Sequence, residues 1–437
     1  LFLSNLVMIN PHNFLDTLSL IGLYFHNLKS IIDRESKITM NRYITIALLI
    51  TFLDAVGMGL IMPVLPSLLE MFASQETIAT HYGFILALYA LMQVIFAPIL
   101  GQLSDKYGRK PVLVISLIGA VCDYTLLSFS SALWMLYLGR MIAGISAATG
   151  AVAASMIADS TNMTERTQWF GRLGAAFGAG LIAGPTIGGF IGQYSAHYPF
   201  IAAAILNAAA LILVLLLFPK KINTNNSKSI ELQQTSTDEK SIKIPFSKVI
   251  KPVALLLVIF FSVQFIGQIP ATIWVLFTEY RFEWNSFNVG LSLAGLGLMH
   301  IFFQAFVAGY IASHWRNETI FILGFILDAT AFILLAFINN VWLLLPTLIL
   351  LAGGGIALPA LQSEISLTTS REHQGKMQGI MVSLTNSTGV VAPPIFAFLY
   401  GASQKNWDGT IWLMGAILYS CLLFLYFCFR KKYRTSH

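Results

Sequence analysis

The sequence predicts an all-α integral membrane protein whose twelve transmembrane helices form two six-helix halves. Composition is the first reason: 56% of the 437 residues are hydrophobic and only 11% are charged, against roughly 25% charged in a soluble globular domain. The second is recurrence, since apolar runs of about the 20 residues needed to cross a ~30 Å hydrocarbon core repeat along the chain. The third is one long polar stretch, residues 219–251, with six runs on either side of it. Segments this long and this apolar satisfy their backbone groups inside a bilayer only as helices.

The runs lie at about 42–63, 81–101, 111–130, 133–157, 169–190, 198–218, 252–275, 287–312, 318–338, 341–362, 377–400 and 409–429. The breaks after even-numbered runs are basic: Lys106, Arg109 and Lys110, then Arg166 and Arg172, then seven lysines between 220 and 251, then Arg316, then Arg371 and Lys376. The tail adds Arg430, Lys431, Lys432 and Arg434, whereas the alternate breaks hold only Arg281 and Lys405. By the positive-inside rule both termini and the central stretch are cytoplasmic. The net charge of +6 therefore reports orientation, and no nucleic-acid partner is implied.

Residues 219–251 are rich in Ser, Thr, Asn, Gln and Lys and read as a linker. They join a first half, 40–218, to a second half with its basic tail, 252–437. A repeat-built transporter has this layout, with its substrate cavity near the midplane between the halves. Residues 1–39 stand apart: "FLDTLSLIGLYF" is too short to span, and no small-residue cleavage site comes after it. Met40 looks like the natural start, so 1–39 is expected to be an artefactual or disordered extension, with an interfacial anchor helix as the alternative. Cys122, Cys421 and Cys428 fall in apolar runs and are expected to be small packing residues rather than a disulfide framework or metal site.

Several motifs interrupt the apolar pattern. "GQLSDKYGRK", 101–110, is expected to be a short cytoplasmic loop in which Gly101 and Gly108 permit a tight turn and Asp105 and Arg109 pair with each other or with helix ends. Its G-x-x-x-D-x-x-G-R-K string is the signature by which it resembles the major facilitator superfamily; "GYIASHWRNE", 309–318, is a degenerate echo in the second half. "GAGLIAGPTIGG", 178–189, lacks the strand a dinucleotide fingerprint requires. Gly180, Gly184, Gly188 and Gly189 offer a small-residue face for close helix packing, with Pro185 bending the run, and the segment resembles the motif of the superfamily's proton-coupled antiporters. "GGGIALP", 353–359, lacks the Lys-Ser/Thr of a phosphate loop and reads as helix packing.

Ionisable residues inside membrane helices cost about 2.5–3.5 kcal/mol on insertion scales and mark functional sites with partners to be named. Runs 3 and 4 turn near Ser130 and Ser131, which brings Asp123 and Arg140 to similar depth and within reach of each other; a purely structural pair and a functional one both fit. Asp54, His300 and Asp328 fall near the midplane of their runs, and carboxylates and imidazoles are the usual proton carriers. Gln264 and Gln268 share one helix face, and Gln304 lies one turn beyond His300. Substrate contact and interhelical hydrogen bonding fit these glutamines equally.

From Asn41 to about residue 429 the sequence resembles the metal-tetracycline/proton antiporters of Gram-negative bacteria. The likeness is carried by "LDAVGMGLIMPVLPSLL", "ALYALMQVIFAPILGQLSDKYGRKPVL", "SSALWMLYLGRMIAG", "GPTIGG", "IGQIPATIWVLFTE", "SLAGLGLMH", "LLAGGGIALPALQ" and "VSLTN". It implies efflux of a divalent-metal–tetracycline complex across a bacterial inner membrane in exchange for a proton, hence tetracycline resistance. Asp54, Asp123, Arg140, His300 and Asp328 then match positions tied to transport and proton coupling, and Ser104, Asp105 and Arg109 match the gating loop. Asn386, which ends "VSLTN", joins the three glutamines as a candidate for substrate contact. No enzyme activity, cofactor or protein metal cage is expected, because a cation such as Mg2+ arrives bound to the drug through oxygen donors. The alternative is a broader multidrug or solute transporter of the same fold.

Overall fold

The computed structural model describes residues 42–161, 163–218, 246–369 and 373–434. The 1–39 extension and linker residues 219–245 lie outside the described residues. Among the described residues, twelve helices are long and apolar enough to cross a membrane: α1 (Arg42–Ile61), α2 (Ile78–Tyr107), α3 (Arg109–Ser128), α4 (Leu133–Ser160), α5 (Gln168–Gly192), α6 (Tyr198–Leu217), α7 (Val253–Phe282), α8 (Ser286–His314), α9 (Asn317–Phe337), α10 (Val341–Thr368), α11 (Gln374–Trp407) and α12 (Thr410–Cys428). A short helix, Leu65–Glu70, lies between α1 and α2.

The expected loop at 101–110 is mostly helix. α2 continues through Ser104 and Asp105 to Tyr107, α3 begins at Arg109, and the chain reverses at Gly108 alone, where φ is +92°. That left-handed backbone is cheap only for glycine, so Gly101 is not needed for the turn and stays helical. Two spans are broken instead. α4 divides into Leu133–Ser146 and Thr149–Ser160, and α10 into Leu344–Gly354 and Ala357–Thr368 after a 3-10 turn at Val341–Leu343. These are equivalent helices of the two halves, fourth and tenth in order. Side chains satisfy backbone groups at both breaks: Ser116 Oγ accepts from the Ala148 N–H at 3.1 Å, and Gln304 Nε2 donates to the Gly355 carbonyl at 3.2 Å. Gln304 is delivered by a π-helical turn, Phe303–Val307, inside α8.

α5 is wedged between its own half and the other. A Cβ at Gly180 or Gly184 would stand 2.7 Å from the Phe52 or Val56 carbonyl of α1, and Gly188 sits equally hard against Leu60. Gly189 faces Ser286, and Gly290 of α8 faces the Pro185 carbonyl. The expected small-residue face thus receives two helices rather than one. The second contact between halves is α2 on α11. Within the second half, Trp412 of α12 meets Trp274, Phe277 and Phe332 edge-on at centroid distances of 6.3, 5.3 and 5.4 Å, and such pairs add ~0.5–1.5 kcal/mol each beyond burial.

Among the described residues, the halves touch on the side away from the basic breaks. At the ends away from the basic breaks, a Cβ at Gly83 would lie 2.6 Å from Ala397, and Lys405 donates to Glu76 at 2.6 Å. Arg281, the other basic residue of this side, pairs with Asp408 and donates to the Ile338 carbonyl at 2.6 Å. On the basic side, Gly101, Gly171, Gly174, Gly375 and Gly379 have nothing within 4 Å of a Cβ position. The Lys405 ammonium holds the Glu76 carboxyl below its usual range, first by its hydrogen bond and then by its charge. This contact is therefore present at neutral pH and is lost as pH falls through the lowered value. The three cysteines correct their expected role: all are exposed rather than packed, because an apolar thiol on a membrane-length helix can face acyl chains.

A Cβ at Gly401 would lie 3.3 Å from that of Ala79, close to the ~3.5–4.5 Å of a disulfide. With Cys122, Cys421 and Cys428 replaced, Ala79→Cys with Gly401→Cys should cross-link on oxidation and keep the halves joined after proteolysis of the linker. Gly101→Cys with Gly379→Cys should not. Cross-linking of the second pair but not the first would contradict the closed side described here.

Candidate functional site

The first half contributes most of a cavity of about 730 Å³. Asp123 of α3 and Arg140 of α4 form the buried ion pair that their depths suggested, with side chains 1% and 7% exposed. Two ring faces supply further neutralisation, because the guanidinium lies 5.9 Å from the centroid of Tyr89 and 5.6 Å from that of Tyr124. Gly139 makes room for the pair: a Cβ there would stand 2.6 Å from Asp123 Oδ1. Asp123 Oδ1 and Arg140 Nε are nonetheless buried without hydrogen-bond partners. Asp54 faces the same space and belongs to no ion pair among the described residues. Asn386 closes the wall from α11, in the other half.

A second cavity, of about 470 Å³, lies in the other half and is completed by Met62 and Tyr82 of the first. It collects Gln264, His300, Gln304 and Asp328, so the titratable groups expected near one midplane site divide between two spaces. The glutamines divide as well. Gln264 donates to Thr385 of α11 at 2.6 Å and Gln304 holds the broken backbone of α10, while Gln268 lines neither cavity. "GGGIALP" is more than a packing segment. The Asp328 carboxylate sits where a Cβ on Gly354 would go, and a Cβ on Gly355 would stand 2.9 Å from His300 Nε2.

The two halves build their carboxylates alike and neutralise them differently. Asp123 on the third helix rests on Gly139 of the fourth, and Asp328 on the ninth rests on Gly354 of the tenth. The residue after the glycine is Arg140 in one case and Gly355 in the other. Asp123 is therefore matched by a fixed cation, whereas Asp328 shares its cavity with a half-buried imidazole, and no ion pair among the described residues includes it.

The expected gating residues form a separate cluster on the basic side. Arg109 donates to Asp105 at 2.5 Å, to Ser104 at 3.1 Å and to Asp159 of α4 at 2.8 Å. One guanidinium thus ties the ends of α2, α3 and α4. Asp159 was not singled out from the sequence, although an acidic residue ending a run on the basic side was the available signal. Gln93, a lone glutamine within an apolar run, was equally readable and lines the first cavity. Tyr89 and Tyr124 carried no comparable mark among the chain's 15 tyrosines.

Two six-helix halves, with equivalent broken helices facing cavities that hold unpaired carboxylates, define a secondary transporter. The Major Facilitator Superfamily profile matches residues 47–350 and 272–437. The chain is 58% identical over 392 residues to the tetracycline resistance protein, class D, of Salmonella ordonez, covering 90% of this chain and 98% of that one. It is also 58% identical over 386 residues to the class B protein of Escherichia coli, covering 88% and 95%. The chain belongs to the major facilitator superfamily, among the tetracycline resistance proteins. The crystal structure of the nucleoside transporter NupG superposes with a TM-score of 0.69 at 15% identity, over 89% of this chain and 99% of that one, and shares the fold.

Removing one member of the Asp123–Arg140 pair should leave the other buried and unmatched, at a cost of about 3–5 kcal/mol. Asp123→Asn and Arg140→Gln should each lower membrane expression, and the double variant should recover it. Recovery of expression without transport assigns the pair a working role. Full transport by the double variant reduces it to scaffolding.

Proposed function

We propose that this protein exports tetracycline from the bacterial cytoplasm as a complex with a divalent cation such as Mg2+, in exchange for an entering proton. The observation that carries the reading is the pair of cavity carboxylates, Asp54 and Asp328, that have no cationic partner among the described residues, in a chain nearly 60% identical to tetracycline resistance proteins. In a low-dielectric wall an unmatched carboxylate favours either a proton or a cationic cargo. Competition between the two for the same groups is the minimum needed to couple their movements. Asp123 cannot serve in this way while Arg140 holds it.

With both termini cytoplasmic, the open side faces the cytoplasm of an inner-membrane protein. Drug chelate enters the space between the halves from there and meets the carboxylates. The α2–α11 and α5–α8 contacts are the surfaces over which the halves rock. The Arg109 cluster keeps the cytoplasmic ends of α2, α3 and α4 together as one body while that side closes. A chelate carrying one positive charge, exchanged for one proton, moves no net charge.

Uptake of tetracycline into inside-out vesicles should require a divalent cation, stop when a chelator removes it, and respond to the pH gradient more than to membrane potential. Undiminished uptake in chelator would mean that metal-free drug is the cargo, and equal stimulation by unrelated cationic drugs would favour a multidrug transporter. Asp328→Asn, which keeps shape but cannot titrate, should reach normal membrane levels and abolish drug-stimulated proton movement. Normal exchange by this variant would remove Asp328 from the coupling.

A further inference from the structure

Asp328 has no cationic partner among the described residues, yet its carboxylate is firmly placed. On one side it abuts the backbone of Gly354 so closely that no side chain fits there. On the other stands Tyr419 of α12, which lines the same cavity with its hydroxyl placed to donate to the carboxylate. Tyr419 is 3% exposed. Its ring is fixed by Phe325 at 5.9 Å and Phe332 at 5.6 Å, centroid to centroid. Phe325, Asp328 and Phe332 are at i, i+3 and i+7 on α9 and share one face. The two phenylalanines therefore bracket the carboxylate and aim the phenol at it.

We propose that Tyr419 is a positioning residue for transport, whose hydroxyl holds the ionised Asp328 carboxylate against Gly354 in the orientation from which it exchanges with protons and cargo. The proposal rests on the proton-exchange reading above. A phenol suits this task better than the guanidinium that serves Asp123: it is a neutral donor, so it orients the ionised carboxylate without supplying the opposite charge that would hold it permanently ionised. Gly355, standing where Arg140 stands in the first half, keeps a cation away. The other titratable groups lining this cavity are His300 from α8 and Tyr82 from α2; α7 and α10 contribute Gln264 and glycines, which do not titrate.

The test compares wild type with Tyr419→Phe and with a ring-fluorinated tyrosine at 419, a stronger donor, by measuring drug-stimulated proton movement in inside-out vesicles across a pH series. Loss of a hydrogen bond to a charged group is expected to slow exchange about ten-fold in Tyr419→Phe and to move the pH profile ~1 unit to the alkaline side, since protonation of Asp328 is then less opposed. The fluorinated residue should move it to the acid side. Profiles that coincide with wild type overturn the proposal, as does a slower rate with no displacement in either variant, which would make Tyr419 a packing residue. If Tyr419→Phe does not reach the membrane, the fluorinated residue, which keeps both ring and hydroxyl, decides alone. Wild-type vesicles that move drug but no protons would sink the exchange reading, and this proposal with it; failure confined to the variants sinks only the role of Tyr419.

Discussion

Charge inside a hydrocarbon slab has few stable arrangements, and the rest of the structure is organised around them. A carboxylate there needs a cation, a polar cavity or a proton. Asp123 has the first, through Arg140 and the flanking rings of Tyr89 and Tyr124. Asp54 and Asp328 have cavities. The same constraint governs the backbone, because irregular chain at membrane depth survives only where it lines a cavity or meets side-chain partners. Both breaks do so: α4 opens beside Ser116 and Thr149, and α10 opens beside Gln304, His300 and Asp328.

Close helix approach is the second theme. Gly180, Gly184 and Gly188 let α5 touch the backbone of α1, while Gly189 and Gly290 let it touch α8 across the boundary between halves. In lipid, where apolar side chains gain little by meeting one another, such backbone contact is a main source of helix association. It also leaves smooth surfaces. Among the described residues the two halves meet through small residues on α2, α5, α8 and α11, with the exposed Lys405–Glu76 pair and the Ser67–Glu279 hydrogen bond joining them on one side. The Arg109 cluster lies at the other end and within one half, where it ties three helix ends to one another.

The sequence by itself determined the features that length, periodicity and the cost of isolated charge dictate. Twelve spans, their division six and six and the reach of Asp123 to Arg140 are all local or nearly local properties, since a span is a run and the pair sits on adjacent helices of one hairpin. The glycine face of α5 was legible for the same reason, being a spacing on one helix. Only tertiary structure decided which distant groups share a space. Asp54 and Asn386 line one cavity from different halves, His300 and Asp328 share another beside Gly355 and Gly354, and Tyr419 joins Asp328 there from the last helix. These juxtapositions depend on how the helices pack around the two breaks, and no residue type or interval in the chain encodes that packing locally. "GGGIALP" shows the difference most directly: as a string it is a small-residue stretch, and only the placement of α8 and α9 against it makes its glycines the seats of an imidazole and a carboxylate.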